Sequence, residues 1–205
     1  MSIELVHEPY VDAQQQANAY RAGMWIFLAS ELMLFGVLFL SYTICRWNYP
    51  DAFSVVGQET DKLLGTANTL VLLTSSLFMA MAVSRPRPVF LLLVTAALGS
   101  LFIFLKGYEW MSDIHKGYLP GSGFHWTKSG AAPRQAELFF YLYFVLTGIH
   151  MIHLSIGVLV ASALAYLTWR GRQIGQAVEM GGLYWHFVDI VWVFLYPLFY
   201  LIPHR

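Results

Sequence analysis

Side chains that hold or move protons stand inside the apolar runs of this 205-residue sequence. Glu31 lies in "MWIFLASELMLFGVLFL", where its helical neighbours Phe27, Leu28, Leu34 and Phe35 are all apolar. Burial there favours the neutral carboxyl. That suits either a proton-handling or lipid-contacting group, or a protonated Glu bonded to a neighbouring helix. His150 and His153 in "TGIHMIHLSIG" share a helical face with Gly157. Two histidines so spaced could ligate a metal if Glu31, His186 or Asp189 completed the set, or they could form a polar cluster between helices. His186 and Asp189 in "YWHFVDIVW" stand three residues apart, so the imidazole could donate to the carboxylate. Trp185, Asp189, Trp192 and Tyr196 make an aromatic stripe suited to a lipid-headgroup or docking face, or to helix packing. Lys106 and Glu109 in "LKGYEW" can pair at i, i+3, and the spacing predicts a solvated or snorkelling pair. An ionisable group inside a membrane is by default a functional candidate.

The elements carrying these residues are membrane spans. The chain is 58% hydrophobic and 12% charged, against about 25% charged in soluble domains. Apolar runs predict spans near residues 22–45, 63–83, 89–110, 138–168 and 182–202, each about the roughly 20 residues a bilayer crossing needs. The expected fold is an all-α, polytopic bundle of five transmembrane helices. It comprises an N-terminal segment (1–21) and one membrane domain (22–205) with a long Gly- and Pro-rich loop near 111–137. The small residues Ala22, Ala29, Gly36 and Thr43 recur every seven positions and predict a close-packing seam, with Glu31 roughly opposite.

Net charge is zero, so no nucleic-acid partner is implied. Cys45 is the only cysteine, which excludes an intrachain disulfide and reads as a small apolar residue. Residues 1–20 contain neither Lys nor Arg and have no short apolar core, unlike a cleavable signal, so the first span is expected to direct insertion. No phosphate loop, nucleophile elbow or His-Glu-x-x-His occurs. Five spans divide the basic residues between two sides. Arg21, Arg85, Arg87, Arg170 and Arg172 fall on one; Arg46, Lys62, Lys106, Lys116, Lys128, Arg134 and Arg205 fall on the other. Raw count favours the second side as cytoplasmic, and density in short loops favours the first.

Taken in order, the motifs resemble subunit III of the haem–copper oxidases, the cytochrome c and quinol oxidases, from Tyr20 to Tyr200. "WIFLASELMLFGVLF" resembles the family helix with a buried glutamate, here Glu31. "NTLVLLTSS" matches its Asn-Thr helix start at Asn68, and "LKGYEW" its helix end at Glu109. "GIHMIHLSIG" matches Gly-x-His-x-x-His-x-x-x-Gly, and "YWHFVDIVWVFLY" matches Trp-His-Phe-Val-Asp. The chain lacks the first two helices of seven-helix members and looks like the short bacterial form. One wall of the long form's lipid cleft is therefore missing, and "AVSRPRP" lacks the histidine pair of longer members.

The resemblance implies a non-catalytic subunit of a respiratory-chain complex that couples oxygen reduction to proton translocation. Haem and copper would reside in subunits I and II, with none bound here, and phospholipid would be bound. Asn68, Glu109, His150, His153, Trp185, His186 and Asp189 would be structural or lipid-contact residues, and Glu31 a proton-related carboxyl. The subunit would stabilise subunit I and support its proton uptake. It would sit in the bacterial cell (inner) membrane with a cytoplasmic N-terminus. "LTGIHMIHLSIG" and "FLKGYEW" are also similar to oxidase-III-like proteins associated with nitric oxide reductases. A stand-alone transporter using Glu31, His150 and Asp189 as a relay would often show an internal repeat, and none is present.

Overall fold

A computed structural model describes residues 13–172 and 174–202. Among them the chain is all-α, and five helices are long and apolar enough to cross a membrane. These are α1 (Ala13–Asn48), α3 (Lys62–Val83), α4 (Val89–His115), α5 (Pro133–Trp169) and α6 (Gly175–Tyr200). Between α1 and α3 lies a short helix, α2 (Pro50–Val56), followed by a 3-10 turn at Gly57–Glu59. The sequence reading missed α2. At seven residues it is too short for hydropathy to mark, although Pro50 at its first position and Asp51 in its first turn are both helix-start residues.

Local chemistry sets the helix ends. Asp61 caps α3 by accepting from the backbone N–H groups of Leu63 and Leu64 at 3.0 and 3.1 Å. α4 runs five residues past its expected end and stops at Gly117, whose φ of +80° suits glycine. α5 starts at Pro133 rather than Leu138, so the expected loop at 111–137 contracts to 116–132.

Helices α3, α4, α5 and α6 pack in a closed ring, each against two neighbours, and α1 lies outside it against α6 and α5. The face by which α1 docks differs from the expected seam. Leu28, Phe35 and Tyr42, seven apart, are buried. Ala22, Ala29, Gly36 and Thr43 stay exposed, and a Cβ added at Gly36 would meet nothing within 4 Å. The aromatic stripe offers more contact area than the small-residue stripe, and burial of large apolar side chains decides which face turns inward.

Trp185 sets the spacing of the ring. A Cβ at Gly99 of α4 would come within 2.7 Å of its indole, and one at Gly157 of α5 within 3.2 Å. The two glycines give the indole its space between α4 and α5.

Outside the membrane spans, Lys128 and Tyr118 of the 116–132 loop both reach Glu59, tying the loop to the turn after α2. The hydrogen bond to Glu59 holds the Lys128 ammonium above the usual lysine value, and burial, with Glu59 nearby, raises the Tyr118 phenol. A raised lysine value means that the contribution is complete below the unfolded value of about 10.4 and fades as pH rises through the folded one. Proteolytic access to the loop should therefore be flat from about pH 6 to 9 and increase only above roughly pH 10.4. Lys128→Met should weaken that dependence, leaving the part due to Tyr118. A rise below about pH 9 in the parent would contradict the assignment.

Candidate functional site

The ring encloses a column of polar groups. Near the ends of α4 and α6 lies a buried ion pair, Lys106 Nζ to Glu109 Oε2 at 3.1 Å, with side chains 0% and 3% exposed. The expected solvated or snorkelling pair is thus corrected. α4 continues to His115, so Lys106 and Glu109 face the ring interior rather than the helix end. The ammonium also donates to the Tyr143 hydroxyl at 2.8 Å and to Tyr200. Both phenols donate to Glu109 Oε1, at 2.8 and 2.7 Å. Three helices thus satisfy one lysine and one carboxylate, as buried charges require.

The two histidines of α5 diverge, although they share a face in the sequence. His150 is fully buried between Phe102 of α4 and Trp192 of α6, at ring distances of 5.7 and 5.1 Å. Neither of its ring nitrogens has a hydrogen-bond partner. His153 turns outward to α1, where its Nε2 lies 2.9 Å from Glu31 Oε2. Its Nδ1 is 2.8 Å from the Ile149 carbonyl, which can only accept, so Nδ1 carries hydrogen. Among the described residues, no group of three His, Cys, Asp or Glu side chains could hold a metal ion.

His186 and Asp189 do not pair. His186 Nδ1 lies 2.7 Å from Ser76 Oγ. Asp189 is 4% exposed, and neither of its oxygens makes a hydrogen bond. Ser76 also stands near Asp189, but its hydroxyl is engaged by the imidazole. The stripe around them faces inward, with Trp185 and Trp192 each 1% exposed.

Their indole N–H groups reveal a contact that the sequence reading missed, a polar ladder along antiparallel α3 and α6. Trp185 donates to Ser75 at 3.2 Å, Trp192 donates to Thr69 at 3.0 Å, and Tyr196 meets Thr66 at 2.8 Å. Hydroxyls in "GTANTLVLLTSS" were its signal, but Ser and Thr in membrane helices commonly bond back to their own turn, so spacing alone did not point across the interface. Asn68, one residue from Thr69, is fully buried and neither of its amide atoms has a partner.

The fold and site define a class: a multi-pass helical membrane protein whose polar interior is given mainly to holding helices together. Comparison with known proteins shows what it is similar to. Residues 132–203 match the family model for cytochrome c oxidase subunit III. "Cytochrome c oxidase subunit 3" of Thermostichus vulcanus is 29% identical over 195 residues, covering 88% of this chain and 86% of that one. "Probable quinol oxidase subunit 3" of Staphylococcus saprophyticus is 26% identical, covering 91% and 90%. "Heme-copper oxidase subunit I+III" of Aeropyrum pernix is 30% identical over 197 residues, which are 89% of this chain but only 22% of that longer protein. The family-model match and the relatives' names support a subunit III of the haem–copper oxidases as what this chain is similar to.

Proposed function

We propose that the chain is a non-catalytic subunit that docks beside the haem-bearing subunit I, with subunit II in the same complex, stabilises subunit I during turnover and supports its proton uptake. The observation that carries this is the Aeropyrum pernix relative, whose name joins subunits I and III in one protein. A segment like this chain is there tethered to subunit I, which fixes equal numbers and proximity. The donor chemistry agrees. His153 spends both ring nitrogens on Ile149 and Glu31, and His150 is wedged between two aromatic rings. Residues 22–205 act as one membrane domain in a bacterial cell membrane, with residues 1–21 cytoplasmic. Of these, residues 1–12 lie outside the described residues. Asn68, Glu109, Trp185, His186 and Asp189 serve as structural residues, and bound phospholipid completes the surface.

The test is copurification from the native membrane. Tagged chain should bring down a haem- and copper-containing partner, and its removal should leave initial oxygen consumption near the parent's while shortening the active lifetime. Recovery without any haem protein would overturn the reading. For orientation, Ser84→Cys and Ser122→Cys in a Cys45→Ala background should label from inside and outside respectively. Labelling of position 84 from outside intact cells would reverse the topology.

A further inference from the structure

Three polar side chains inside the ring lack partners, and all three gather around one indole. Asn68, His150 and Asp189 are 0%, 0% and 4% exposed. Each carries two polar atoms, and none of the six has a hydrogen-bond partner among the described residues. Each lies on the buried stripe of its helix: Asn68 between Gly65 and Leu72 on α3, His150 between Thr147 and Leu154 on α5, Asp189 between Trp185 and Trp192 on α6. Trp192 is common to them. Its ring lies 5.1 Å from that of His150. Its N–H donates to Thr69, the neighbour of Asn68, and Asp189 precedes it by three residues, about one turn. Nearby hydroxyls are already used. Thr69 donates to the Gly65 carbonyl, Ser75 to that of Leu72 and Thr147 to that of Tyr143, and Ser76 is held by His186.

We propose that the ring interior around Trp192 is a water-binding site, where ordered water joins Asn68, His150 and Asp189 in one hydrogen-bonded network. Burying a polar atom without a partner is costly, so six at one place call for a guest. The side chains define its chemistry. The amide and the imidazole can donate as well as accept, and the carboxyl group accepts, so the guest must do both. A cation cannot donate a hydrogen bond to the carboxyl, and the Lys106 ammonium, 5.6 Å from the centre of the Trp192 ring, repels it. The Asp189 carboxyl disfavours an anion. Buried water typically makes about three bonds to otherwise unsatisfied groups, so about two molecules match the six atoms. The site rests on the packing of α3, α5 and α6 and not on the oxidase partnership proposed above, so either can fail alone.

The test is X-ray radiolysis of the full-length chain in detergent micelles, read by mass spectrometry of its peptides. Hydroxyl radicals formed from water oxidise a buried side chain only where water adjoins it. Phe139 and Phe199, each 0% exposed and packed against one another, are the dry reference. Corrected for intrinsic reactivity, Trp192 should be oxidised at least about fivefold faster than either. Asn68→Leu/Asp189→Leu, which replaces four of the six polar atoms by methyl groups, should lower that rate about fivefold. Asp189→Asn, which keeps two polar atoms in place, should leave it within about twofold. His150→Phe, nearly isosteric, should lower the Tm, because the water loses its imidazole partner. Oxidation of Trp192 no faster than that of the two phenylalanines would overturn the proposal, and that result needs no variant to fold. An unchanged rate in the double leucine variant would overturn it too. A raised Tm for His150→Phe would do the same, by marking the imidazole as an unpaired group in a dry core.

Discussion

Replacing Glu109 by leucine is expected to destabilise the bundle by about 3–5 kcal/mol, the range for breaking one side of a buried ion pair. The variant leaves the Lys106 ammonium 0% exposed with only two phenol oxygens as acceptors. The reverse change is milder. Lys106→Met leaves Glu109 with hydroxyl donors from Tyr143 and Tyr200 at 2.8 and 2.7 Å, so a loss of about 1–3 kcal/mol follows. Removing both charges, Lys106→Met/Glu109→Leu, leaves neutral side chains of similar volume. Its stability should lie above that of Glu109→Leu alone, because a buried pair replaced by apolar groups is often nearly neutral. Thermal unfolding in detergent, followed by loss of helical signal, reads all three. A double variant as damaged as the sum of the singles would mean that the pair is not coupled and that the geometry has been misread.

That cluster also shows where sequence reasoning reaches and where it stops. Hydropathy located all five spans, because bilayer length and backbone satisfaction leave few alternatives. It could not locate the ends, since α1, α4 and α5 continue beyond the apolar windows into polar turns. The extension of α4 is what turns Lys106 and Glu109 from an end pair into an interior one. Face assignment failed for α1 because two heptad stripes, one small and one aromatic, lie side by side, and only the partner surface chooses between them. For His186, local i, i+3 proximity to Asp189 competed with Ser76 on α3, a contact 110 residues away that no local pattern encodes. Glu31 was legible as a polar group within an apolar helix, although it lies only partly buried, and its partner was not legible, because nothing in the spacing distinguishes His150 from His153.

The Glu31–His153 contact leads to the second large effect. With hydrogen fixed on Nδ1 by the Ile149 carbonyl, a neutral imidazole presents a bare Nε2, and the 2.9 Å approach of Glu31 Oε2 then needs a proton on the carboxyl. The other arrangement is imidazolium with carboxylate. Either way one proton lies between them and the pair is neutral, which suits a site 13% and 18% exposed between α5 and α1. Glu31→Gln supplies an amide N–H to the same nitrogen, so a cost within about 1 kcal/mol is expected. Glu31→Leu leaves Nε2 unsatisfied, and His153→Phe leaves the carboxyl without its partner, each at about 2–3 kcal/mol. Glu31→Leu/His153→Phe should then be less damaged than the sum, because contacting residues couple. The same cycle separates structure from turnover. In the assembled oxidase, Glu31→Gln should retain early oxygen consumption, and any effect should show in the proton-release ratio or the rate of inactivation over many turnovers. If the glutamine variant is as unstable as the leucine one, no proton is shared across this contact. If haem reduction fails at once in an intact complex, Glu31 acts on electron transfer instead.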